Sequence, residues 1–189
     1  MRLDQIAYRV ADKAKTAQFL IDSMYYKIED EFKIEFDDGT CANCYAMSHP
    51  HRESFKELDL ANNIRYKWTH TEFNYNGSSI YHLPPEIFVS EGNEGSIVKK
   101  WVDARAGIGG IHHLAYQVVD IESKVKAWKE KGIEFLTKEV IDCPDDEMRQ
   151  IFTKPLIELG GVIVELIERG DKGFCKNSVK GLMQSTEEA

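Results

Sequence analysis

The feature that most constrains this chain is an internal repeat of eight residues. The first copy is Gln5–Asp12 and the second is His113–Asp120, and alanine, tyrosine, valine and aspartate recur at one constant offset without a gap. Each copy reads as a strand that runs into a helical segment and then into further strands. A repeated sequence predicts a repeated structural unit. The alignment sets Gln5 in the place of His113, so we expect two half-sites that face each other.

The predicted order of elements is strand, helix, strand, strand, strand, and it occurs twice. The first module takes residues 1–91 and carries an insertion at about 49–79, which is either a lid over a site or a surface elaboration. A connecting helix and a glycine linker take 92–110, the second module takes 111–170, and a C-terminal helix and tail take 171–189. Asp12 and Asp120 are expected to cap the helix of each module. The later strands of the second module are predicted at Ile133–Leu136, Gln150–Thr153 and Val162–Ile167.

Composition narrows the classes of partner. The formal net charge is −8, and the basic residues form no patch, which argues against a nucleic-acid partner. No apolar run is long enough to span a bilayer. The first residues read as a strand rather than a signal peptide, so we expect a cytoplasmic protein. A homodimer is left open.

The four cysteines offer a second chemistry. Cys41 and Cys44 form a single C-x-x-C, and a zinc site would need Cys143 and Cys175, or histidines, from distant parts of the chain. Residues three apart on a strand point to opposite faces, which opposes a shared metal. We therefore expect buried, reduced thiols, with structural or redox zinc as the alternative.

The residues that carry chemistry lie on two predicted strands. Alternation puts His113 on one face of the Ile111–Val118 strand and His112 on the other. Glu165 interrupts the apolar strand of the second module, and a buried carboxylate normally has a charged partner or a metal. Its counterpart in the first module is read as Glu86 if the strand slips by one residue, and as Ile87 if it does not.

These residues form a candidate ligand set for one divalent metal ion. One nitrogen and several oxygens suit iron(II), cobalt, nickel, manganese or zinc. The alternative is that Glu165 pairs with a lysine or arginine while the histidine makes only a structural hydrogen bond. The full candidate set is Gln5, Glu86, His113 and Glu165.

The two repeats resemble the paired modules of the vicinal oxygen chelate superfamily, which includes glyoxalase I, methylmalonyl-CoA epimerase and extradiol and 4-hydroxyphenylpyruvate dioxygenases. The resemblance covers nearly the whole chain except His49–Ser79. It implies an α+β fold in which two tandem βαβββ modules form one open, barrel-like mixed sheet around a cleft, with the helices outside. It also implies that the His-φ-Ala strand and the glutamate strand hold the metal, here through His113 and Glu165.

The local sequence is most similar to the catalytic half of the 4-hydroxyphenylpyruvate dioxygenase family. Gln150–Pro155 stands as that family writes it, which implies that Gln150 and Phe152 line the substrate pocket. Gly173-Phe174 resembles the start of the family's C-terminal gating motif, so Phe174 is expected to contact substrate. Two departures favour a smaller or different 2-oxo acid. Gln5 stands where the family has a histidine, and Ser178-Val179 stands where it has Asn-Phe.

Three functions follow from this resemblance. The first is an iron(II)-dependent dioxygenase that chelates a small 2-oxo acid. The second is a metal-dependent epimerase, isomerase or lyase, in which the metal stabilises an enolate and Glu86 or Glu165 moves the proton. The third is a metal-free binding protein that keeps the cleft without the chemistry.

Overall fold

A computed structural model describes residues 1–49, 84–143, 147–169 and 176–186. Most of the predicted insertion, Phe174 and Cys175 therefore lie outside the described residues. The helices are α1 (Lys13–Met24), α2 (Ile97–Asp103), α3 (Ile121–Lys129) and α4 (Lys176–Ser185), with a 3-10 turn at Ile157–Leu159. The strands are β1 (Arg2–Val10), β2 (Lys27–Glu35), β3 (Cys41–Ser48), β4 (Glu86–Gly92), β5 (Gly109–Gln117), β6 (Ile141–Cys143), β7 (Met148–Phe152) and β8 (Ile163–Arg169).

The eight strands form one mixed sheet in the order β2-β3-β4-β1-β5-β8-β7-β6. The first strands of the two modules, β1 and β5, pair antiparallel at its centre. The last strand of each module lies parallel beside the first, β4 beside β1 and β8 beside β5. The predicted fold class is confirmed. The repeated strands that carry the candidate ligands thus meet in the middle of the sheet.

The central strand pair has a local two-fold symmetry that follows from the repeat. Gln5 pairs with Ala115, and their counterparts in the repeat, His113 and Ala7, pair with each other. The register shifts at two places, and these are also equivalent. Asp4 in β1 and His112 in β5 have no partner in the ladder, and each immediately precedes the candidate ligand of its module. A residue left unpaired in this way is a β-bulge, which bends the strand and re-aims its side chains.

Helix caps are the local feature that the sequence predicted best. The Asp12 carboxylate accepts a hydrogen bond of 2.8 Å from the backbone N–H of Lys15, and the Asp120 carboxylate accepts one of 3.0 Å from that of Ser123. Both predicted caps are confirmed. An aspartate at this position satisfies an N–H that the first helical turn leaves free. The two α-helices therefore begin at equivalent places in the two modules.

One predicted strand is wrong. Residues 133–136 contribute only an isolated bridge between Phe135 and Thr153, flanked by a hydrogen bond from the Leu136 N–H to the Phe152 carbonyl oxygen. The chain then bends away and rejoins the sheet as β6, which pairs with β7. The hairpin partner of β7 is therefore split into two short pieces. A short apolar run does not show where such an interruption falls.

A close approach of backbone explains one glycine at the centre of the sheet. Gly109 has φ +79°, and a Cβ added there would lie 2.1 Å from the Arg9 carbonyl oxygen. Only glycine therefore lets the start of β5 lie against the end of β1. Cys41, Cys44 and Cys143 are free thiols, and the latter two are buried. The burial of Cys44 and Cys143 agrees with the prediction, whereas Cys41 is only partly buried and Cys175 lies outside the described residues.

Candidate metal and substrate site

A central cavity opens on the sheet where the two modules meet, with about 510 Å³ of empty space including its mouth. Side chains from β1, β4, β5, β7, β8 and α4 line it. Four of the sequence-predicted site residues, Gln5, His113, Gln150 and Phe152, are among them, and so is Glu165. The fold thus brings together five predicted residues from four strands. Their roles stay predictions, because the geometry alone tests no ligand.

The strand ladder fixes how the candidate ligands face one another. Gln5, Ala115 and Glu165 form one row across β1, β5 and β8, since Gln5 pairs with Ala115 and Ala115 pairs with Glu165. His113 lies two residues before Ala115, on the same face. Its Nε2 is 3.4 Å from the Glu165 Oε2. Glu165 and Gln5 are each 3% exposed, so both polar groups are held away from bulk water.

Burial controls the charge of this pair. Burial raises the pKa of Glu165 to about 8. The charge of Arg169 opposes this rise, and the charge of Asp4 adds to it. Burial, followed by the charge of Arg9, lowers the pKa of His113 to about 3. Both directions favour a protonated carboxyl beside a neutral imidazole at neutral pH. The 3.4 Å contact is therefore not an ion pair in the metal-free protein, and a neutral imidazole is the form of histidine that binds metals.

A divalent cation fits these donors. Ligand bonds of about 2.1 Å to an octahedral or tetrahedral ion separate two neighbouring ligand atoms by about 3.0–3.4 Å, which matches the distance between His113 and Glu165. A cation would also offset the cost of a charged carboxylate at this depth. Among the residues the structure describes, no third histidine, cysteine or carboxylate completes the set. The amide of Gln5, which lines the same cavity, is the remaining candidate donor.

The position of His112 corrects the sequence prediction. Simple alternation places it on the face opposite His113, yet both line the cavity, and their Nδ1 atoms are 2.9 Å apart. The bulge at His112 is the physical reason, because an unpaired residue breaks the period of two. The contact occupies the second ring nitrogen of His113, as second-sphere partners of metal-bound histidines do. The buried Nε2 of His112 has no hydrogen-bond partner within the described structure.

Glu86 does not share this position. The ladder pairs Ala7 with Phe88 and Ala115 with Glu165, so the true counterpart of Glu165 is Phe88. The predicted matches to Glu86 and to Ile87 are both wrong. Phe88 lies one residue beyond Ile87, in the direction opposite to the slip that Glu86 required. The Glu86 carboxylate lies 3.4 Å from the Arg169 guanidinium and is not part of the cavity lining.

The predicted substrate residues surround the ligand pair. The Phe152 ring packs edge-on against the His113 ring, with centroids 5.1 Å apart. Gln150 is 1% exposed, and its amide Nε2 lies 3.7 Å from the Cys143 Sγ. Val179 and Met183 of α4 line the cavity from the C-terminal side. Phe174 lies outside the described residues, so its contact with substrate stays a prediction.

Sequence reasoning missed the basic end of the cavity. Arg9 is 3% exposed and lines the cavity, and it donates a 2.8 Å hydrogen bond to the Thr186 hydroxyl. A signal was present in the repeat. Arg9 shares a strand face with Gln5, and its counterpart in the second copy is the neutral Gln117. A charge on the face of a strand predicted to be buried at the site is the pattern that would have drawn attention to it.

Comparison with known proteins gives the family. Residues 4–152 match the family described as the Glyoxalase/Bleomycin resistance protein/Dioxygenase superfamily. The chain therefore belongs to that superfamily, as its repeat implied. It is 28% identical to 4-hydroxyphenylpyruvate dioxygenase from Sus scrofa, over 51% of this chain and 33% of the pig enzyme.

Two solved structures show the same fold. A mutant of 4-hydroxymandelate synthase from Streptomyces coelicolor superposes with a TM-score of 0.71 at 18% identity, over 99% of this chain and 53% of that chain. Methylmalonyl-CoA epimerase from Mycobacterium tuberculosis superposes with a TM-score of 0.54 at 19% identity, over 89% and 88%. The chain thus spans a third of the pig dioxygenase and about half of the synthase. No helix in the described ranges has the length and apolar character needed to cross a membrane.

Proposed function

We propose that this chain is a divalent-metal-dependent enzyme in which His113 and Glu165 hold the metal and Gln5 is a weaker, neutral third ligand. Iron(II) is the favoured ion, and the substrate is a small 2-oxo acid that chelates it in a dioxygenase-type reaction. The bound metal would supply the Lewis acidity and redox chemistry needed for reaction with O₂. The observation that carries the proposal is the 3.4 Å approach of a neutral imidazole nitrogen to a buried carboxylate oxygen in the central cavity.

The remaining lining residues support this role by orienting groups and excluding water. The Phe152 ring restricts rotation of the His113 imidazole, and His112 fixes its second nitrogen. Rigid support of this kind keeps ligand geometry within the narrow limits that a site needs. Val179 and Met183 cover the cavity with apolar surface, so charges inside interact more strongly than they would in water.

A second candidate is a metal-dependent epimerase, isomerase or lyase that acts through an enolate. The observation that favours it is the neutral amide of Gln5 in the ligand row, where the dioxygenase family has a histidine, and an epimerase fold also superposes over 89% of this chain. Its proton would have to be carried by a group in the cavity. Glu86 is a poor choice because it lies beside Arg169 instead, and Glu165 would then serve as base rather than only as ligand.

A metal inventory tests the proposal. Protein purified without tag or chelator is analysed by plasma mass spectrometry, beside the variants His113→Ala, Glu165→Gln and Glu86→Gln. We expect stoichiometric metal in the wild type, loss in the first two variants, and no change in Glu86→Gln. The last variant is the matched control, since it removes a partly buried carboxylate on a neighbouring strand that does not line the cavity. Wild-type protein that takes up no metal after reconstitution would leave a metal-free binding protein.

Two activity measurements separate the candidates. Oxygen consumption on adding 2-oxo acids to the iron-loaded protein supports the dioxygenase. Exchange of a substrate C–H proton with deuterated water, without oxygen consumption, supports proton transfer instead. His113→Ala should abolish whichever activity is present, whereas Glu86→Gln should retain it.

A further inference from the structure

We propose that Arg9 binds the second carboxylate of a short dicarboxylic 2-oxo acid, at the end of the cavity remote from Gln5. The inference rests on the proposed function and narrows its substrate class. The 2-oxo acid group of the substrate would bind the metal held by His113 and Glu165. Its distal carboxylate would bind the Arg9 guanidinium.

The first argument is position along β1. Gln5, Ala7 and Arg9 alternate along the strand and all three line the cavity. Four residues of extended strand span about 13 Å, so the Cα atoms of Gln5 and Arg9 mark opposite ends of the site. Ser90 of β4 pairs with Arg9 in the ladder and also lines the cavity at that end. Arg9 nevertheless lies only two residues from Ala7, the ladder partner of His113.

The second argument is charge balance. The Arg9 guanidinium is almost fully buried, and the one hydrogen bond it donates within the described structure goes to a neutral hydroxyl, that of Thr186. No carboxylate of the described residues forms an ion pair with it. Burial, with the nearby charge of Arg105, lowers the pKa of Arg9 to about 9. A buried cation without an anion is costly, and a ligand carboxylate removes that cost.

The third argument is preorganisation. Thr186, just beyond the end of α4, fixes one side of the guanidinium, and the Trp101 ring lies 5.8 Å from its central carbon. A planar guanidinium held in this way presents its remaining donors in a fixed fork that matches a carboxylate. Between the two ends, Phe88, Val179 and Met183 offer apolar walls for a short carbon chain.

The test compares two probes that differ only at the distal end. Binding of 2-oxoglutarate and of 2-oxopentanoate is measured by calorimetry on wild-type protein equilibrated with Ni²⁺, and again without metal. We expect the wild type to prefer 2-oxoglutarate by about 10- to 100-fold, as a charge-assisted hydrogen bond implies. Arg9→Gln should remove this preference and leave the affinity for 2-oxopentanoate unchanged.

Arg105→Gln is the matched control. Its guanidinium lies over the Trp101 ring, 3.6 Å from the ring centroid, and does not line the cavity. It removes the same charge from the neighbourhood, so it should keep the preference for 2-oxoglutarate. If Arg9→Gln does not fold, Thr186→Val loosens the guanidinium instead and should weaken the preference severalfold.

The outcomes separate the two proposals. Equal binding of both probes by the wild type, or a preference that survives in Arg9→Gln, would overturn the assignment of Arg9 even when metal is bound. Absence of metal binding would overturn the proposed function. A preference for 2-oxoglutarate in the metal-free titration that Arg9→Gln abolishes would still support Arg9 as the carboxylate site.

Discussion

The two ends of the central strand pair are built alike and carry buried arginines in opposite electrostatic settings. The repeat makes Asp4 the counterpart of His112 and Gln117 the counterpart of Arg9. At the first end, Arg169 donates to the Asp4 carboxylate at 2.7 Å and lies 3.4 Å from Glu86. At the second end, the one hydrogen bond that Arg9 donates within the described structure goes to the neutral hydroxyl of Thr186. The two equivalent bulges thus have different surroundings. The one at Asp4 lies in a buried ion cluster, and the one at His112 lines the central cavity.

The pKa values of the two buried arginines shift in opposite directions. Burial lowers the pKa of Arg169, yet Asp4 and Glu86 outweigh it and the net pKa is raised. Burial, with the charge of Arg105, lowers the pKa of Arg9 to about 9, and no carboxylate in the described part of the chain offsets this effect. A buried arginine that the protein itself neutralises stabilises its surroundings, and one that it does not neutralise is available to an anion. Each prediction below tests this difference between the two ends or between the two modules.

The largest expected effect is at the neutralised end. Asp4 accepts from Arg169 at 2.7 Å and from Arg2 at 2.8 Å, and it is fully buried. Asp4→Ala should lower the free energy of unfolding by about 3–5 kcal/mol, because two guanidinium groups lose their shared carboxylate. Urea denaturation measures this. Glu35→Ala, at the exposed Lys33 pair, is the control and should change nothing measurable. A small effect of Asp4→Ala would mean that the cluster is neutralised elsewhere.

The second prediction concerns pH and the metal-free protein. His112 and His113 have folded pKa values below 6.5, mainly through burial, so stability falls as the pH drops below about 6.5. Glu165 has a folded pKa of about 8 against 4.5 when unfolded, so the folded state keeps a proton that the unfolded chain has lost. The stability that this proton gives to the folded state is therefore lost as the pH rises from 4.5 to about 8. Between about pH 6.5 and 8 the slope should reach at most about 1.4 kcal/mol per pH unit.

Denaturation at several pH values after chelation measures this slope. Glu165→Gln should flatten it between pH 6.5 and 8, since an amide does not titrate there. Glu86→Gln should leave it unchanged. A slope that persists in Glu165→Gln would assign the proton to another group. Added metal should also remove the slope, because a bound carboxylate is already deprotonated.

The sequence predicted the fold class correctly, but it predicted the details of the site less well. The repeat at Gln5 and His113 was enough to predict two equivalent modules with half-sites that face each other, but not the antiparallel pairing of β1 with β5. The bulges at Asp4 and His112 were not predictable, since a ladder interruption depends on the partner strand rather than on local periodicity. The same limit explains the error at Glu86. The repeat marked Arg9 as a charge on the face of the site, but only the structure shows that no carboxylate of the described residues pairs with it.

The third prediction restores symmetry between the modules at the ligand position. Gln5→His replaces a neutral amide by an imidazole at the counterpart of His113. Affinity for Ni²⁺ or Co²⁺ should rise about 10- to 100-fold, since imidazole is the better ligand for these ions. Calorimetric titration measures it. Gln150→His, which adds an imidazole elsewhere in the cavity lining, is the control. An equal gain from both variants would mean that Gln5 has no special place in the ligand set.

The smallest expected effect is at the other end of the comparison. Arg9→Gln should change the free energy of unfolding by no more than about 1 kcal/mol, because replacing an unneutralised buried charge by a neutral group removes a cost as well as a contact. The lost contact is the 2.8 Å hydrogen bond to Thr186. Urea denaturation beside Asp4→Ala gives the contrast directly. A loss as large as that of Asp4→Ala would show that Arg9 is neutralised within the protein, and the two ends would then be equivalent. A loss near zero leaves the guanidinium as a group held for a ligand.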